Sequence, residues 1–145
     1  MSLSRKAVCR LTTLIKFMEA LPRSAAKHFN MTTWIAHAGP HSHDFDRYIR
    51  PGDLETCGTT ACAFGWAATI PTFRRAGLKV VNSIEESGRH DNYTVAKEFF
   101  DLNDWQTGLI FGSSSVSDPN PFRLAKSPKQ WARLARRFLR EHEAV

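Results

Sequence analysis

The residues best suited to chemistry lie in Cys57-Gly58-Thr59-Thr60-Ala61-Cys62-Ala63-Phe64-Gly65-Trp66 and in the segment before it, which carries His41-Ser42-His43. Three kinds of chemistry fit these side chains. Cys57 is a candidate nucleophile: a helix N-terminus would favour its thiolate, and a histidine from residues 39–56 would serve as its base. His41, His43, Cys57 and Cys62 are ligand types that suit zinc. A Cys57–Cys62 disulfide is the third. Spacing weighs on the last two, because residues five apart on one helix point about 140° away from each other and stand roughly 8–9 Å apart. The cysteines share a metal only if Cys57 lies before the helix. Packing accounts for the segment without any chemistry. Unpaired cysteine acts as a small hydrophobe, Gly65 inside a helix costs about 1 kcal/mol and implies a close backbone neighbour, and Trp66 anchors a core. His28, His37, His90 and His142 lie in polar surroundings and read as surface residues.

A second candidate site is electrostatic. Lys129, Arg133, Arg136, Arg137 and Arg140 fill one side of the C-terminal segment and could follow a phosphate backbone, with Trp131 or Trp34 stacking a base if exposed. Trp131 falls on the apolar stripe of that segment, which argues for a core position. A basic helix face is commonly just a solvated surface, and no recognised nucleic-acid motif accompanies this one.

The cysteine segment resembles a Cys-Gly-Thr-x-Ala-Cys-x-x-Gly-Trp signature of small uncharacterised proteins from bacteria and their phages. The resemblance is close over the signature and loose over residues 5–35 and 57–111. It implies a buried helix beginning at the signature and, over Val95 to Phe111, a short leucine-ended helix followed by an acidic-capped one. It implies no activity, substrate or catalytic residue. Papain-like enzymes carry a Cys-Gly-Ser-Cys stretch at their nucleophile, but the two extra residues before Cys62 spoil that match. The last histidine, His142, also lies closer than the roughly 130 or more residues downstream typical of those enzymes.

These residues need elements to hold them. Val8, Leu11, Leu14, Ile15, Met18 and Leu21 recur at helical spacing, so a first helix is expected to end at Leu21, with Pro22 stopping it. Ser24 would cap a short turn through Lys27, and Phe29, Met31 and Trp34 would dock after it. Residues 39–56 read as a long loop. Gly58 to Ile70 is too uniformly small and apolar for a surface helix and is expected to be the central buried one, capped by Thr56 or Thr59. Pro71 opens a short turn that Gly77 closes in the left-handed conformation. Leu78 to Thr94 holds at most a small hairpin. Helices are expected over Thr94–Phe100 and Asp104–Phe111, with Val95, Phe99, Leu102, Trp105, Leu109 and Ile110 inward. Residues 112–121 read as a loop. The last helix starts most clearly, with Ser127 as N-cap, Pro128 at the first position and Gln130 completing a capping box. Its apolar stripe is Trp131, Leu134, Ala135, Phe138 and Leu139.

The 145 residues suit one domain, 1–145, and their 42% hydrophobic and 23% charged composition is that of a folded chain rather than a disordered one. No stretch approaches the roughly 18 apolar residues of a membrane span, and an odd cysteine count of three suits a reducing, cytoplasmic setting. The net charge of +6 is unevenly placed: residues 1–30 hold six basic side chains and one acidic, 121–145 hold seven and two, and 31–120 hold seven and eleven. Positive charge is therefore terminal.

The expected fold class is mainly α, a compact helical bundle around a central buried helix. The expected function is non-enzymatic binding, as a small phage or mobile-element accessory factor that occupies a host protein, with residues 39–56 and the acidic middle as its contact. Nucleic-acid binding through the basic terminal helices is the alternative, and a cysteine-dependent enzyme using Cys57 is a further one. No cofactor and no membrane partner are expected.

Overall fold

Ser4 begins the first helix by accepting a hydrogen bond at its hydroxyl from the Ala7 N–H, 3.0 Å away, which satisfies one of the free donors at a helix start. The helix, α1, spans Arg5–Ala20 and turns Ala7, Leu11, Leu14, Ile15 and Met18 inward at the predicted period. It stops at Leu21, whose extended backbone (ψ 143°) is the conformation a residue before proline adopts. The computed structural model describes residues 3–31, 35–36, 54, 60–79, 92–112 and 119–142. Residues 80–91 of the expected hairpin, the residue 39–56 loop apart from Leu54, Trp34, His37, His41, His43, Cys57 and His90 lie outside the described residues; the end of the hairpin is corrected, because Asn92 to Thr94 form the first turn of a helix rather than a strand.

After Pro22 a 3₁₀ turn runs over Arg23–His28, longer than the turn expected from Ser24. The chain then forms a small antiparallel pair, β1 (Ile35–Ala36) with β2 (Thr60–Ala61), in the register Ile35 to Ala61 and Ala36 to Thr60. Phe29 bridges Ala61 from the other side, and the Asn30 N–H donates to the Ala61 carbonyl at 2.9 Å. This pairing corrects the sequence expectation of a helix from Gly58 to Ile70. Thr60 and Ala61 give their backbone groups to neighbouring chain, Cys62 stays extended (ψ 179°), and helix α2 covers only Ala63–Ala67. Pro71 ends the run on the other side by holding Ile70 extended at ψ 122°. All five residues of α2 are buried, so the short helix is still the centre of the core.

α3 (Pro71–Arg75) follows and is closed by Gly77 at φ +95°, as expected. α4 (Asn92–Phe99) and α5 (Asp104–Ile110) are joined by a tight turn, and α5 carries a full capping box: the Asn103 side chain accepts from the Gln106 N–H while the Gln106 side chain accepts from the Asn103 N–H. Pro121, expected to close a loop, instead opens a short helix, α6 (Pro121–Leu124), capped by Asn120. α7 (Pro128–His142) is the second long helix. The architecture is mainly α, with Phe64 at its middle making edge contacts to Phe100 and Phe111 at ring-centroid distances of 6.2 and 5.4 Å. Among the described residues no helix is long and apolar enough to cross a membrane.

The two long helices lie side by side and antiparallel. At one end the Leu3 N–H donates to the His142 carbonyl at 3.0 Å, and at the other the Lys129 ammonium donates to the Glu19 carbonyl at 2.7 Å. Trp131 seats α7 on the core, fully buried, with its indole N–H donating to the Ile110 carbonyl at 2.9 Å.

Candidate nucleic-acid interface

α7 forms because its start is capped and one side is apolar. The Ser127 hydroxyl accepts from the Gln130 N–H, and the Gln130 carboxamide turns back to accept from Lys126 N–H at 2.7 Å, one residue upstream of the expected capping-box partner. Trp131, Ala132, Ala135, Phe138 and Leu139 are buried, which leaves the basic side chains outside. At 3.6 residues per turn, Lys129, Arg133, Arg136 and Arg140 fall within about 60° of one another and run along about 16 Å of helix. They form one stripe. Arg137, expected to join them, stands roughly 70° round the helix from the middle of that stripe and pairs with Glu141 at 3.0 Å.

The stripe faces the C-terminal half of α1. Together with Glu19 its four residues line an open groove of about 400 Å³. Arg136 grips the Glu19 carboxylate with two hydrogen bonds, Nε to Oε2 at 2.5 Å and Nη2 to Oε1 at 2.7 Å, with both side chains about 40% exposed. This bond to Arg136 holds the Glu19 carboxyl below its usual range, aided by the charges of Lys129 and Lys16, so Glu19 is ionised at neutral pH. The same bond raises the already basic Arg136. Lys129, Arg133 and Arg140 are exposed beside them. The antiparallel packing brings the two basic ends of the chain side by side: α1 and α7 hold nine Lys and Arg side chains against Glu19 and Glu141.

One of those nine has a different task. The Arg10 guanidinium lies 4.0 Å over the Phe99 ring and donates to the Phe99 carbonyl at 2.6 Å, fastening α1 to α4.

The tryptophans are placed otherwise than the sequence suggests. Trp131 is fully buried and its N–H is engaged, so it offers no stacking face. Trp105, expected inward, is 48% exposed, because its neighbours Gln106, Thr107 and Gly108 take the buried positions of α5. Its ring meets that of His142 at 6.2 Å, past the end of the stripe. His28, read as a surface residue, is buried, and its carbonyl accepts the Trp66 indole N–H at 3.1 Å.

Of the cysteine candidates, Cys62 is described. It sits in extended backbone before α2, so the premise that it lies inside a helix with Cys57 does not hold. Burial pushes its thiol up to about 11, against the pull of the Gly65 and Phe64 N–H groups. A protonated, buried thiol is a poor nucleophile. Among the described residues no three His, Cys, Asp or Glu side chains gather as a metal site would require.

No family model, curated protein or solved structure matches this chain. What the sequence did not single out is Glu19, which lies 117 positions from its partner and is legible only once α1 and α7 are seen to be antiparallel.

Proposed function

We propose that this protein binds nucleic acid by its phosphate backbone, along the α1–α7 groove. The observation that carries the reading is the alignment of Lys129, Arg133, Arg136 and Arg140 into one stripe beside a groove, three of them exposed. Guanidinium groups suit this role because their planar donors match a phosphate, and a row of them neutralises successive charges. Contacts of this kind position a polymer without reading its sequence, so the binding is sequence-tolerant. The host-protein reading looks to residues 39–56, of which Leu54 alone is described, whereas the groove is built wholly from described side chains.

Fluorescence anisotropy of a labelled oligonucleotide, single-stranded and duplex, tests the proposal directly. Binding at about 50 mM salt that weakens steeply by about 200 mM is the expected result, since phosphate contacts release counterions. No binding at the lower salt, or binding indifferent to salt, would overturn it.

A further inference from the structure

The groove already contains an anion. Glu19 presents two carboxylate oxygens to Arg136 in the paired geometry that a guanidinium also uses for two phosphate oxygens. Around it stand Lys129, Arg133 and Arg140, while Lys16 is near enough to bear on its charge. Both members of the pair are partly exposed, so an arriving anion reaches them without the core opening. We propose that Glu19 is an internal competitor for the polyanion: it occupies Arg136 and withholds it from a phosphate, so that the unaltered protein binds without that contact. This rests on the binding reading above and adds a restraint to it. The groove as it stands offers three basic side chains to a ligand and holds a fourth in reserve.

The competition has a consequence that general charge does not. Glu19→Gln removes the competitor, so binding should use one more phosphate contact. Its plot of log affinity against log salt should be steeper than that of the unaltered protein by about 0.9 for duplex or about 0.7 for a single strand. Affinity at low salt should rise by roughly two- to fivefold, the scale of one exposed ion pair. Glu141→Gln is the matched control. It raises the net charge by the same amount, but Glu141 pairs with Arg137, off the stripe. Its slope should be unaltered.

Glu19→Asp separates the competitor from its charge, because a side chain one methylene shorter keeps the carboxylate but draws it back from Arg136. It should bind more tightly than the unaltered protein although the net charge is the same. Far-ultraviolet circular dichroism of each variant checks that the helices are intact. If Glu19→Gln and Glu141→Gln act alike, or if Glu19→Asp leaves binding unchanged, the competitor role is overturned while salt-dependent binding itself stands. If no variant binds the labelled oligonucleotide, both the competitor role and the binding reading fall.

Discussion

At the scale of single residues, Cys62 shows how burial decides chemistry. The sequence puts two cysteines and a glycine into a segment that would suit a nucleophile or a metal, but the structure closes Cys62 into the core and raises its thiol to about 11. A thiol whose value in the folded state exceeds its ordinary 9.0 stabilises the fold while it is protonated. That contribution is complete below the ordinary value and is lost as the pH rises toward the folded one. Cys62→Ala should therefore show a shallower loss of stability between about pH 9 and about pH 11 than the unaltered chain, measured by urea unfolding at each pH. Parallel curves would show that Cys62 titrates alike in both states. In the same folded protein, iodoacetamide should modify the exposed Cys9 well before Cys62.

At the scale of elements, the helices with a strong apolar period were legible and the short apolar run was not. α1 and α7 announce themselves because six and five apolar residues recur at helical spacing, and Ser127 marks the start of α7; the Ser4 cap of α1 is visible only in the structure. The segment from Gly58 to Ile70 carries no such period, being apolar on every side, and its helical length depended on what its backbone would pair with. Thr60 and Ala61 pair with Ile35 and Ala36, a partner some 25 residues away that no local signal names. Trp105 was misplaced for a related reason: its spacing fits the inward row of α5, yet the smaller Thr107 and Gly108 pack inside and leave the indole at the surface. The capping box of α5 is a firmer element. Asn103→Ala removes the acceptor for the Gln106 N–H and should cost about 1 kcal/mol, read as a lower urea midpoint with the slope unchanged. A cost near zero would mean that water replaces the cap without loss.

At the scale of the whole molecule, the site is a product of how the ends meet. Each basic end is visible in the sequence, but a groove exists because α1 and α7 run antiparallel, tied by Leu3 to His142 at one end and Glu19 to Lys129 at the other. The measurement that tests this most directly is salt-dependent oligonucleotide binding by two charge-reversed proteins of equal net charge. Arg133→Glu/Arg140→Glu strikes the stripe, and Arg75→Glu/Lys79→Glu strikes exposed basic residues in and just after α3. The stripe variant should lose binding at about 50 mM salt and the other should keep most of it, the outcome that the proposed groove requires. Equal losses in the two proteins would contradict a localised site and leave only the pull of net charge.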